Sequence, residues 1–147
     1  MMHTWSKGYQ MPPPERVIVD TSAFYALTSS TDTFHPQAKL AYERLLDWEW
    51  ELWATSYILV ETSVLVHYRL GFEPLKAFME TMLSSVMHIL WIESAIHSEA
   101  WRRMARRQGK GFSLVDWTTV VAAEHLEASV FTFDQGFRQE GVLIFPR

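Results

Sequence analysis

Apolar and polar positions along this chain switch between two periods, and the switches mark its elements. Short β-branched or aromatic runs, Val17-Ile18-Val19, Leu52-Trp53-Ala54-Thr55, His88 to Ile92, Ser129 to Phe133 and Val142 to Phe145, read as strands. Between them apolar residues recur three and four apart. These stretches begin at Ala23 and continue at His35 to about Trp50, Tyr57 to Leu70, Pro74 to Ser84, Ser94 to Gln108 and Ser113 to about Leu126, and they read as helices. Start and stop signals fit these limits. Thr21-Ser22 and Ser56 offer capping hydroxyls, Pro36 suits a first turn, and Gly71 and Gly109 can close helices in a left-handed conformation. Strands alternating with helices imply βαβ units, and hence an α/β/α three-layer sandwich with a mostly parallel central sheet of about five short strands.

Composition narrows the picture. The 147 residues fit one domain, and a chain 48% hydrophobic and 14% aromatic can bury a sizeable core. Residues 1–15, with Pro12-Pro13-Pro14, lack a signal-like apolar stretch and read as a flexible N-terminal tail ahead of a single domain over 16–147. The most apolar segment, Tyr57 to Val66, is interrupted by Glu61, so no membrane span is expected and the protein is read as cytoplasmic. The absence of Cys excludes disulfides, zinc-thiolate sites and thiol nucleophiles. A formal net charge of −4 excludes a generally basic surface, so any binding of nucleic acid must rest on a local patch or a metal. The lack of Asn and the excess of Arg over Lys, nine to four, lean towards a thermophilic or GC-rich source.

Candidate chemistry concentrates in four carboxylates. In open α/β sheets ligands gather beyond the carboxyl ends of the strands, and Asp20 and Asp134 each follow an apolar run that ends there. The alternative for each is that it caps a helix or turn. Glu61 has Tyr57, Ile58, Val64 and Leu65 as helical neighbours, an apolar face on which a carboxylate needs a metal or an Arg partner. Asp116 stands three residues after Ser113, the spacing of a capping box, and a helix N-terminus would also steady a metal-binding carboxylate. Four carboxylates in one cleft repel one another unless a divalent cation neutralises them. Mg²⁺ is the natural occupant, and its chemistry suits phosphodiester hydrolysis.

The segments Val-Ile-Val-Asp-Thr-Ser-Ala (17–23), Glu61 after Thr55-Ser56, Phe-Ser-Leu-Val-Asp (112–116) and Val-Phe-Thr-Phe-Asp (130–134) together resemble a PIN domain, over residues 16–147. A single bare domain of this size is similar to the VapC-type toxins of toxin–antitoxin pairs. The resemblance implies a Mg²⁺- or Mn²⁺-dependent endoribonuclease in which Asp20, Glu61, Asp116 and Asp134 gather the metal and Ser22 supports it, with Thr21 and Ser113 beside them. It further implies an RNA substrate, a cognate antitoxin and a homodimer. Two positions depart from the pattern. Gly136 stands where many members carry another acidic residue, and Trp117 stands where a small residue often follows the third acidic position and is expected to reshape the cleft wall. A non-catalytic RNA- or protein-binding module, or an RNA-processing nuclease without an antitoxin, are the competing readings.

The remaining motifs sort quickly. Arg102, Arg103, Arg106, Arg107 and Lys110 line one side of a helix and its C-terminal end, either as an RNA phosphate track or as cations complementing the helix terminus. Six His residues show no metal-ligand spacing, and Gly109-Lys110-Gly111 fails as a phosphate loop because Met104 and Gly111 occupy positions that demand Gly and Ser or Thr. Ser22 likewise replaces the second Asp that an aspartyl phosphatase would need. The Trp and Leu residues of 40–53 and the Met residues of 79–87 have core-like spacing, with part of these surfaces open to a partner helix.

Overall fold

The computed structural model describes residues 15–146. Five strands form one parallel sheet: β1 (Arg16–Val19), β2 (Glu51–Thr55), β3 (Met87–Leu90), β4 (Ser129–Phe131) and β5 (Ile144–Phe145), in the order β3-β2-β1-β4-β5. Seven helices connect them: α1 (Thr21–Thr28), α2 (His35–Asp47), α3 (Ser56–Leu70), α4 (Phe72–Met82), α5 (Ser94–Arg106), α6 (Leu114–Leu126) and α7 (Gly136–Gln139). The expected α/β/α arrangement is therefore present. Helices α1 to α4 lie in the connections by which the chain steps from β1 out to β3 and α5 to α7 in those by which it returns through β4 to β5, and the right-handed rule for parallel crossovers assigns the two groups to opposite faces of the sheet.

The central strands are apolar because both their faces are covered. Val17, Ile18 and Val19 of β1 and Val130 and Phe131 of β4 are fully buried. Helix α6 is equally enclosed from Trp117 to Ala123, with the hydroxyls of Thr118 and Thr119 turned back onto the carbonyls of Leu114 and Val115 at 2.7 and 3.0 Å. Helix α5 shows the amphipathic pattern instead, burying Ile96 and Ala100 against α6.

Local chemistry differs from expectation at several ends. Asp20, not Thr21 or Ser22, caps α1, its Oδ1 accepting the Ala23 N–H at 3.1 Å. Thr55, not Ser56, caps α3 by accepting the Ile58 N–H, while Ser56 Oγ accepts the Ile92 N–H across the sheet edge at 2.9 Å. Gly71 serves both α3 and α4 at φ 102° and ψ −174°, a glycine conformation outside the left-handed helical region. The last two strands are shorter than their apolar runs, and α7 fills the interval with a turn that buries Phe137. Residues 1–14 of the expected tail lie outside the described residues, whereas the Glu15 carbonyl accepts the Glu51 N–H at 2.8 Å, just ahead of the β1–β2 ladder. Within the apolar stretches, Met82 and Met87 are core residues, but Leu40 and Leu46 lie on the outer side of α2.

Candidate active site

The order of strands reverses at β1, whose neighbours are reached by connections running in opposite directions. The crevice beyond β1 and β4 is therefore the topological switch point. Asp20 leaves β1 there, and Thr132 to Asp134 leave β4, joined by the Asp20 N–H to Phe131 carbonyl bond at 3.0 Å. The Asp20 carboxylate is 6% exposed and held by three donors. Ser22 Oγ donates to Oδ1 at 2.7 Å, the Ala23 N–H donates to the same oxygen, and Thr132 Oγ1 donates to Oδ2 at 2.6 Å. Burial pushes its pKa up from 3.8 to about 6. The hydrogen bonds from Thr132, Ser22 and Ala23 oppose that rise, and the nearby charge of Asp116 adds to it.

Asp116 lies in the first turn of α6, where the capping box with Ser113 is complete. Its Oδ2 accepts the Ser113 N–H and hydroxyl at 3.0 Å each, and Ser113 Oγ accepts the Asp116 N–H at 3.2 Å. Burial raises its pKa, the Ser113 bonds lower it, and the charge of Asp134 raises it again. Asp134 is exposed and anchored through Oδ1, which accepts the Gly136 N–H at 2.8 Å. A Cβ at position 136 would lie 3.0 Å from both this oxygen and the Phe112 ring, so a larger residue here would have to push one of them aside by a few tenths of an ångström. Asp20, Asp116 and Asp134 thus form an electrostatically coupled row.

Glu61 stands elsewhere than the apolar spacing suggested. The buried face of α3 carries Ile58, Thr62 and Val66, Val60 and Val64 are exposed, and Glu61 is half-buried at the margin. The described residues provide no Arg partner for it. Thr62, next in sequence, reaches Thr21 Oγ1 at 3.2 Å, which ties α3 to the start of α1 one residue beyond Asp20.

Thr132 is the residue that sequence reasoning passed over. It is 1% exposed, and its hydroxyl donates to Asp20 Oδ2 while accepting the Asp134 N–H at 2.9 Å, so one group fixes the carboxylate of Asp20 and the backbone that carries Asp134. The signal was a lone hydroxyl inside the apolar run Val130-Phe131-Thr132-Phe133. Ser22 completes the knot by accepting the Phe133 N–H at 3.1 Å.

The five cations divide by partner. Arg103 binds Glu124 through two nitrogens at 2.7 and 2.8 Å and also reaches Glu99, joining α5 to α6. Arg102 pairs with Glu99 at 3.1 Å, and Arg107 pairs with Glu140 at 3.0 Å while covering the Trp117 ring at 5.4 Å. Arg106 and Lys110 are exposed and have no carboxylate partner among the described residues. Trp117 itself is 3% exposed and meets Phe112 edge-on, so it props the surface from below and is not an exposed wall of the cleft.

The donor set fits a hard divalent cation. Every candidate ligand is a carboxylate oxygen, Asp116 Oδ1 and Asp134 Oδ2 accept no protein donor among the described residues, and no Lys or Arg among them is bonded to Asp20, Asp116 or Asp134. Among the described residues no three Asp, Glu or His side chains converge tightly enough to cage an ion as they stand. That arrangement suits an ion such as Mg²⁺, which keeps several waters and takes one or two carboxylates.

Comparison with known proteins bears on the family and the fold. The sequence matches the PIN domain over residues 17–142. The chain belongs to the PIN-domain family. Among curated relatives, a VapC ribonuclease of Archaeoglobus fulgidus is 28% identical over 123 residues, covering 82% of this chain and 78% of that protein. The 23S rRNA-specific endonuclease VapC20 of Mycobacterium tuberculosis is 26% identical over 134 residues, covering 85% and 94%. The crystal structure of VapC20, described as a sarcin-ricin loop cleaving toxin, superposes with a TM-score of 0.77 at 25% identity over 86% of this chain and 96% of that one. VapBC2 of Rickettsia felis, solved with a promoter DNA fragment, shares the fold at 15% identity and a TM-score of 0.66, over 88% and 96%. Among the described residues no helix is long and apolar enough to cross a membrane.

Proposed function

We propose that this PIN-domain chain is a divalent-metal-dependent endoribonuclease and the toxin of a toxin–antitoxin pair. The observation that carries the reading is the coupled row of Asp20, Asp116 and Asp134 at the switch point of a PIN fold, in a chain whose VapC relatives match it over nearly the whole length. Asp20, Asp116 and Asp134 would hold Mg²⁺ or Mn²⁺, one or two of them directly and the rest through the waters such an ion keeps, with Glu61 as the fourth carboxylate and Ser22, Thr21 and Ser113 as supports. When bound, such an ion neutralises the carboxylates, acidifies water and stabilises charge on the attacked phosphodiester.

The protein's own groups do the positioning. Thr132 and Ser22 fix the Asp20 carboxylate so that it need not reorganise when RNA arrives, and the Ser113 box fixes one oxygen of Asp116 and leaves the other free. With a pKa of about 6, Asp20 retains a proton for part of the time near neutrality in the metal-free protein, and cation uptake releases it. Arg106 and Lys110, with Arg102, Arg103 and Arg107 behind them, supply the basic patch that an acidic protein needs to hold RNA. Residues 16–147 act as one nuclease domain, working in the cytoplasm as a homodimer that a cognate antitoxin blocks.

The test is induced expression of wild type and Asp20→Asn in a bacterial host, reading growth and RNA integrity. Growth arrest with discrete RNA fragments from the wild type alone is the expected result. Intact RNA from the wild type, or equal fragmentation by the variant, refutes the assignment.

A further inference from the structure

Next to Asp134 the surface opens into a pocket of about 270 Å³ between the segment following α5 and α7, lined by Arg107, Lys110, Phe112, Trp117, Asp134 and Glu140. Two features give it a chemical character. It carries two cations and two carboxylates, so a phosphate anion entering it would meet as much repulsion as attraction. It also holds aromatic surface, the half-buried Phe112 ring backed edge-on by Trp117, over which the Arg107 guanidinium is spread. Trp117 Nε1 is the buried side-chain donor without a partner among the described residues. A neutral, flat heterocycle bearing both acceptors and donors suits such a site better than an anion does.

Building on the ribonuclease reading, we propose that this pocket seats a guanine base of the RNA beside the scissile phosphate and so selects where the chain is cut. Guanine sets two acceptors, O6 and N7, side by side for Arg or Lys, and two donors, N1–H and the N2 amino group, along a neighbouring edge for a carboxylate. Lys110, exposed and unpaired among the described residues, and Arg107, 55% exposed and held in place by Glu140, supply the first set. Glu140 and Asp134 supply the second, and Phe112 offers a face on which an unstacked base can lie. Adenine lacks the carbonyl acceptor, uracil lacks the amino donor, and cytosine carries a single amino donor and no Hoogsteen acceptor pair.

The experiment follows the indole N–H resonance of Trp117 in ¹⁵N-labelled full-length protein without divalent metal. The resonance is assigned through Trp117→Phe, or by through-bond correlation if that variant does not fold. Guanosine should move the resonance saturably, at a concentration at least about fivefold below the other three nucleosides, and the exposed-site variant Lys110→Ala should weaken that binding about tenfold. Equal response to all four nucleosides, an equal response to inorganic phosphate, or no response to guanosine overturns the proposal. Because no metal or cleavage is involved, the titration decides the pocket even if the nuclease reading fails. In the companion assay, wild type acting on random-sequence RNA should leave guanine enriched at one position beside the cut, and Lys110→Ala should lose that enrichment. Wild-type fragments without enrichment count against the pocket, whereas a wild type that yields no fragments counts against the nuclease reading alone.

Discussion

Replacing Asp20 by Asn should stabilise the metal-free protein. The carboxyl is 6% exposed, with its pKa raised from 3.8 to about 6 chiefly by burial. At about 1.4 kcal/mol per pH unit, keeping it ionised costs about 3 kcal/mol above pH 6. The sign follows from proton uptake: between pH 3.8 and about 6 the folded state holds more protons than the unfolded chain, so stability falls as pH rises through that window. An amide of the same shape avoids the cost, but it keeps only one oxygen to accept from Ser22 and Ala23, without their charge-assisted character, and its NH2 must donate to Thr132 Oγ1 where the carboxylate accepted, a loss of about 1 kcal/mol. The net gain at pH 7.5 is about 2 kcal/mol, or about 4–8 °C in Tm for a chain of this size. Thermal unfolding of chelator-treated protein from pH 4 to 8 measures it. The advantage of Asp20→Asn should shrink towards pH 4, and millimolar Mg²⁺ or Mn²⁺ should raise the wild-type Tm and leave the variant unmoved. A variant less stable than wild type at pH 7.5, by a margin independent of pH, would show that Asp20 is a structural cap whose burial carries no charge penalty.

Other substitutions separate positioning from packing. Thr132→Val keeps the shape but strands the Asp134 N–H and removes a donor from Asp20, so it should cost about 1–3 kcal/mol of stability in denaturant titration and lower kcat for RNA cleavage more than it raises KM. Ser113→Ala breaks the capping box and should cost about 1 kcal/mol by the same measurement, with added loss of activity through a freer Asp116. Arg103→Ala opens the clamp to Glu124 and should lower stability by about 1 kcal/mol with a smaller effect on the salt dependence of RNA binding than Arg106→Ala, which should flatten that dependence at constant stability.

The sheet was legible because its strands are buried on both faces and therefore appear as continuous apolar runs, each followed by a helical period. Boundaries were less so, because a hydroxyl or carboxylate beside a helix start can cap it, line the site or do both. Asp20 took the cap that Ser22 was expected to provide, and Thr55 took it from Ser56. Asp116 could be read from its spacing to Ser113 alone, since a capping box is a local motif. The Thr132 bond to Asp20 and the pairing of Arg103 with Glu124 and of Arg107 with Glu140 could not, because these contacts join residues 21 to 112 positions apart. Glu61 shows the reverse error: helical spacing put it among apolar neighbours, but Val60 and Val64 face outward and the buried stripe runs through Thr62.

The same bonds that build the fold also prepare the site. Asp116 and Asp134 each give one oxygen to a local backbone N–H and keep the other free of protein donors among the described residues, while Asp20 gives both to donors and sits in the least solvated place. A carboxylate tied by one oxygen can turn little, so its free oxygen is oriented before any ion arrives, and the entropy of ordering it has already been spent in folding. The charge is what folding leaves unsolved. Asp20 is repelled by Asp116 and Asp116 by Asp134, with no Lys or Arg bonded to any of the three among the described residues. A basic residue placed among them would relieve the repulsion and stabilise the metal-free fold, but it would also remove the field that draws in a divalent cation. The cationic side chains instead lie along α5 and the segment after it, most of them held by Glu99, Glu124 and Glu140, so that the row of aspartates stays negative while Arg107 and Lys110 line the pocket at its Asp134 end.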